Sequence, residues 1–112
     1  MIREIITFEN HFEDFIKKLN PKTVQKIEYI FGIIETQDRI SEKFLKHLES
    51  GLFEIRVEYQ SNIYRIFCCF DEGKLVVLFN AFQKKDQKTP KKEIEKAQKI
   101  MSDYYEYKRN QN

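Results

Sequence analysis

Residues 51 to 70, GLFEIRVEYQSNIYRIFCCF, constrain this chain more than any other stretch. Two runs rich in Ile, Val, Phe and Tyr flank the polar segment YQSN, which is the pattern of a β-hairpin. Side chains alternate between faces along a strand. Phe53, Ile55 and Val57 therefore share one face, while Glu54, Arg56 and Glu58 share the other. A loop with an even number of residues is either Gln60-Ser61 or Gln60 to Ile63. Both place Tyr64, Ile66, Cys68 and Phe70 on the apolar face and Arg65 on the face of Arg56. The shorter loop sets the two arginines directly across from each other, and the longer one makes them diagonal neighbours.

A third strand follows. If Glu72-Gly73 is a two-residue turn, Leu75, Val77, Phe79 and Ala81 join the apolar face, and Asn80 and Lys84 join the arginine face. Directly opposed like charges cost about 0.2–1 kcal/mol per pair, which Glu54 and Glu58 can offset. One reading is thus a solvated ladder of arginine and glutamate. The other is convergence on a polyanion, since guanidinium forks suit phosphate oxygens. Ile63, Phe67, Val76, Leu78 and Phe82 share the same face, so either a helix covers part of it or the rings offer stacking to bases.

The rest of the chain supplies the covering layers. Residues 2 to 8 suit an opening strand. Asn10 and Glu13 have capping-box spacing, and Phe12, Phe15, Ile16 and Leu19 form a helical face. Asn20-Pro21 opens a second helix buried along Val24, Ile27, Ile30, Phe31 and Ile34 and fading near Thr36, which makes a helical hairpin. ISEKFLKHLESG reads as a short third helix with Gly51 as its left-handed cap, leaving His47 outside the sheet. Strands are expected over 52–59, 63–70 and 74–82. A last helix starts at Thr89-Pro90, with Ile94, Ala97, Met101 and Tyr104 at helical spacing, and residues 106 to 112 are expected to fray. The order β-α-α-(α)-β-β-β-α gives an α+β class: a small antiparallel sheet with an N-terminal helical hairpin and a C-terminal helix.

At 112 residues, 1–112 is expected to be one domain with a single core. No apolar run reaches the roughly 18–20 residues that span a bilayer. The acidic N-terminal stretch does not suit a signal peptide, so a cytoplasmic location without membrane contact is expected. The adjacent Cys68 and Cys69 point to opposite faces of a strand, as small apolar fillers rather than a disulfide or a zinc site. Between Lys84 and Lys99 seven lysines stand against three acids, although the whole chain nets only +2. That polarisation suits one anion-facing surface, or a solvated lysine-rich helix.

Three segments, in order, resemble RelE/HigB-type toxins of type II toxin–antitoxin systems, above all the phage-associated HigB-like branch. They are Gly51-Leu52-Phe53-Glu54-Ile55-Arg56, Tyr64-Arg65-Ile66, and Phe82-Gln83-Lys84-Lys85-Asp86-Gln87-Lys88-Thr89-Pro90. The likeness is tight from Lys46 to Lys99, while the N-terminal half matches only in pattern. It implies a RelE-like fold and a ribosome-dependent mRNA endonuclease (mRNA interferase) that inhibits translation. The 2′-hydroxyl attacks the adjacent phosphate, leaving a 2′,3′-cyclic phosphate and a 5′-hydroxyl, with no metal and no cofactor. The implied partners are mRNA on the ribosome and a cognate helix-turn-helix antitoxin (HigA-like), with operator DNA reached only through that antitoxin.

Matched residue by residue, the resemblance makes Arg56 and Arg65 the groups that stabilise the phosphate. It makes Lys84 and Lys85 backbone-holding or leaving-group residues. Glu54 is the candidate base, with ion pairing to an arginine as its alternative role. Lys88, Lys91, Lys92 and Asn80 are the candidate RNA contacts. Some relatives carry a tyrosine or histidine after the last strand, where this chain has only Lys, Gln, Thr and Pro, so the acid–base pair is not assigned. Tyr59 and Tyr64 are expected on the core side, and neither His47 nor His11 has an evident role. The competing reading is a basic module that binds RNA or ribosome without cutting it.

Overall fold

In the computed structural model, which describes residues 1–85 and 88–111, the chain forms five strands and three helices. They are β1 (Glu4–Thr7), α1 (His11–Ile16), α2 (Pro21–Thr36), β2 (Leu45–Glu49), β3 (Leu52–Tyr59), β4 (Asn62–Asp71), β5 (Leu75–Lys84) and α3 (Lys91–Arg109). Asp86 and Gln87, the middle of the lysine motif, and the terminal Asn112 lie outside the described residues. The sheet runs β1-β5-β4-β3-β2 and is antiparallel except for the edge pair β1–β5, which is parallel. The architecture is α+β and consistent with a RelE-like fold. No described helix is long and apolar enough to cross a membrane.

Local chemistry accounts for most of these boundaries. The Asn20 side chain accepts from Thr23 N at 2.9 Å, and Pro21 occupies the first turn, so α2 starts where its cap dictates. The capping box expected for α1 does not form. Asn10 makes no side-chain cap bond, and Glu13 instead accepts from the Thr7 hydroxyl at 3.2 Å. The segment expected to be a third helix is strand β2. Ser50 and Gly51 have φ of 51° and 83°, and they join Glu49 to Leu52 as a two-residue hairpin turn. Gly51 thus adopts the left-handed conformation expected of it, but in a turn between strands, and His47 lies inside the sheet.

The β3–β4 turn is the two-residue Gln60-Ser61, with φ of 50° and 67°, so Arg56 stands directly opposite Arg65. The next turn departs from expectation. Asp71 pairs with Leu75 across three residues, which reverses the parity of β5. Val76 and Leu78 accordingly enter the core beneath the helical hairpin, while Val77 and Phe79 face α3. A bulge between the Ile66–Ala81 and Cys68–Leu78 pairs then restores the expected parity, so Ala81 and Phe82 fall on the faces assigned to them.

Helices pack on both faces of the sheet, giving two apolar clusters rather than one. On one face Ile55, Val57, Tyr64, Ile66 and Cys68 pack against Phe12, Ile27, Ile30 and Ile34. On the other, Leu52, Phe67, Cys69, Val77 and Phe79 pack against Ala97, Ile100, Met101 and Tyr104 of α3. Each fully buried Ile, Leu or Phe contributes about 1.5–3 kcal/mol relative to exposure. Cys68 and Cys69 are both free and buried, one in each cluster. The helix α3 also continues through the tail expected to fray. Tyr107 packs at 5.8 Å from Phe8, and Lys108 reaches Asp71 at 2.9 Å, which holds the helix to Arg109.

Candidate functional site

The arginine face is only half covered. From Leu52 and Phe67 towards β4's far end it is sealed by α3, but α3 begins at Lys91, after Pro90. Beyond that point Glu54, Arg56, Arg65 and Lys84 come together at the sheet's charged end. Glu54, 2% exposed, sits between the two guanidiniums. Its Oε2 accepts from Arg56 Nε at 3.0 Å and lies 3.7 Å from Arg65 Nε. Its Oε1 accepts from the Thr89 hydroxyl at 3.4 Å. Arg65 is 6% exposed, donates Nη1 to the carbonyl of Tyr64 at 3.2 Å, and among the described residues its Nε has no hydrogen-bond partner. The Arg56 side chain is partly exposed and also reaches the Glu42 carbonyl at 3.4 Å.

Among the described residues positive charge exceeds negative here. Burial, followed by repulsion from Arg65 and Arg56, holds the Lys84 ammonium below its usual value, despite the pull of Glu54. Burial is also the main cause lowering Arg65, with Arg56 adding to it and Glu54 and Glu58 opposing it. Arginine nonetheless stays protonated throughout the physiological range. Among the described residues, a buried carboxylate shared by two guanidiniums, with one Nε–H unpartnered and an ammonium nearby, leaves cations in excess of anions. Phosphate oxygens are the acceptors that such a fork geometry suits.

The candidates read from the sequence separate into groups. Glu54, Arg56, Arg65 and Lys84 converge. Lys85, Lys88, Lys91 and Lys92 are exposed around the start of α3, and Lys91 lies 4.0 Å from Glu95 within its own helix. Asn80 does not reach the surface. It is 2% exposed at the β5 bulge and donates to the Glu93 carbonyl at 3.3 Å, fastening α3 to the sheet. Tyr64 is buried in the opposite cluster, and His47 packs on Phe53 at 5.0 Å, so neither faces the arginines. Among the described residues, no three His, Cys, Asp or Glu side chains gather to hold a metal ion.

Two residues at the site escaped the sequence reading. Lys46 pairs with Glu54 across β2–β3 and adds to the repulsion on Lys84. It was missed because its segment was read as a helix, although the Ser50-Gly51 pair ahead of a strand is a hairpin signal. Thr89 was assigned to the start of α3, whereas its hydroxyl is bonded to Glu54.

None of the curated proteins matches this chain. A family model described as "Phage derived protein Gp49-like (DUF891)" matches residues 14–102, a span that includes both arginine strands, Lys84 and most of α3. The protein belongs to this Gp49-like phage-derived family, which is associated with toxin–antitoxin systems.

Proposed function

We propose that this protein is the toxin of a type II toxin–antitoxin system of the HigB-like branch, an endoribonuclease that cleaves mRNA on the ribosome. The observation that carries the proposal is the directly opposed Arg56–Arg65 pair with the buried Glu54 carboxylate between them and Lys84 at the same end of the sheet. In the proposed reaction the 2′-oxygen attacks the adjacent phosphorus as its proton passes to Glu54 or to solvent water, the P–O5′ bond breaks, the 5′-oxygen takes a proton from Lys84, and a 2′,3′-cyclic phosphate remains. Arg65 and Arg56 bind the non-bridging oxygens, whose charge grows in the phosphorane, and Lys84 faces the leaving oxygen. Glu54 either orders the guanidiniums or accepts the 2′-proton. Its burial and its position among Arg56, Arg65 and Thr89 favour ordering. A helix-turn-helix antitoxin is the proposed partner in the cytoplasm.

A second reading, a basic module that occupies RNA or ribosome without cutting, is favoured by one observation. Among the described residues no histidine lies beside the cluster's arginines, so the side chain most used for acid–base chemistry near neutrality is not at hand. Mapping message 5′ ends after brief induction decides between the two. The nuclease produces new 5′-hydroxyl ends in translated regions. Translation arrest without such ends establishes the binder, and growth without arrest removes both readings.

A further inference from the structure

A second basic depression opens beside the arginine cluster, on the free edge of β3. Strand β2 pairs with β3 only as far as Ile55, and Arg56 N then bonds the Phe44 carbonyl at 2.7 Å. Beyond that point, among the described residues, no strand lies against the edge from Arg56 to Tyr59. The space is a cleft of about 380 Å³ between α2 (Lys26, Tyr29, Ile30), the turn before β2 (Lys43, Phe44) and β3 itself (Arg56, Glu58). Its volume is within the ~300–1,000 Å³ of small-ligand sites.

Its chemistry is selective. Three cations line it against one carboxylate. Tyr29 is 63% exposed, so its ring serves no core, and Lys26 Nζ lies 5.4 Å from the ring centroid. Phe44 is flanked in the same way by Lys43 at 5.6 Å. Phe44 is half-buried against the core, so Tyr29 carries the exposed aromatic face. An exposed ring among cations is what single-stranded nucleic acid requires, because every base has a face to stack and every nucleotide a phosphate to neutralise. Arg56 belongs to both places: it lines the cleft and bonds Glu54 in the arginine cluster.

We propose that this cleft is a nucleotide subsite in which an RNA base flanking the scissile phosphate stacks on Tyr29, while Lys26 and Lys43 hold the adjoining phosphate and Arg56 joins the subsite to the scissile one. The inference rests on the nuclease reading for its register along the message but not for its chemistry. Tyr29 lies on the solvent side of α2, so its replacement leaves the fold intact.

The test is a titration of the full-length protein with a single-stranded RNA oligonucleotide carrying 2-aminopurine, whose fluorescence is quenched on stacking. The wild type and Tyr29→Phe quench alike. Tyr29→Ala loses the quench and binds about tenfold more weakly. Lys26→Ala and Lys43→Ala each flatten the salt dependence by about 0.7 of a charge unit. Equal quench and affinity in Tyr29→Ala, or no binding by the wild type at low salt, overturns the subsite. So does an affinity that depends on the lysines and not on Tyr29, which marks a general polyanion contact such as an acidic protein segment. Mapping of 5′ ends separates the two failures. If the wild type makes no 5′-hydroxyl ends, the nuclease reading falls and the titration still decides the cleft. If Tyr29→Ala cleaves and binds as the wild type does, the cleft falls and the nuclease stands.

Discussion

The outer face of the sheet carries a charged cluster at each end of α3, and the two are built to opposite purposes. At the helix C-terminus, Asp71 accepts from the Tyr104 hydroxyl at 2.6 Å and from Lys108 at 2.9 Å, and Lys108 also bonds Glu72. One lysine meets two carboxylates. Its ammonium is held well above the usual range by Glu72 and then Asp71, and Asp71 is held down chiefly by Tyr104. At the N-terminal end two guanidiniums share Glu54, and Lys84 is pushed below its usual value by burial and by the arginines. Two lysines on the same face thus shift in opposite directions. In the first cluster the lysine is fully paired, and the pairing clamps the helix. In the second, among the described residues, the cations outnumber the carboxylate that they share.

Removing the one buried anion should produce the largest effect. Glu54→Ala leaves two directly opposed guanidiniums without their shared carboxylate, and a loss of about 3 kcal/mol or more in denaturant unfolding is expected. An unchanged midpoint would mean that the pair is a solvated ladder, and the contrast between the clusters would collapse. Next comes Arg65→Ala. Message cleavage after induction should drop by about 100-fold or more, while antitoxin binding persists. Full toxicity in a folded mutant would take Arg65 out of the mechanism.

Lys84 gives a pH signature. Its ammonium deprotonates below 10.5 in the free protein, and a bound phosphate raises that value again. Affinity for an alkali-stable single-stranded DNA analogue should therefore be complete at neutral pH and fall as pH rises through the lowered value. Lys84→Arg should abolish this dependence, and a wild type with flat affinity to high pH would show that Lys84 does not face the phosphate.

The clamp should respond only in stability, and by less. Tyr104→Phe removes one hydrogen bond to Asp71 at a cost of about 1 kcal/mol, with cleavage unaltered. Because Asp71 titrates below its ordinary 3.8 in the folded chain, its contribution is complete above that value and is lost as pH falls through the lowered one. The difference in melting temperature between wild type and Asp71→Asn should accordingly vanish in strong acid. A difference that persists there would assign the clamp to packing rather than charge.

How much of this was readable beforehand depended on the range of the interactions involved. The β3–β4 hairpin, both arginines on one face and the buried side of α2 follow from local alternation and capping, and the structure has them in place. The placing of Val76 and Leu78 failed because a single extra turn residue reverses an entire strand, and no propensity distinguishes Glu72-Gly73 from Glu72-Gly73-Lys74. Strand β2 was hidden for a different reason. Leu45 and Leu48 fit a helical spacing as well as a strand, and only pairing with β3 selects the strand. With it came Lys46, and with the docking of α3 came Thr89 and the burial of Asn80.

What the sequence by itself determined was therefore chemical: an Arg/Glu/Lys set on one face of a three-stranded unit, in a chain with enough apolar surface to cover most of that unit. What only the tertiary structure decided was where the cover stops. Pro90 and the Asn80–Glu93 contact fix the start of α3 one layer short of Arg65, so Glu54 is buried as a shared counter-ion while the cations around it remain in excess. Burial depends on contacts between segments far apart in the chain, and local side-chain periodicity carries no information about them.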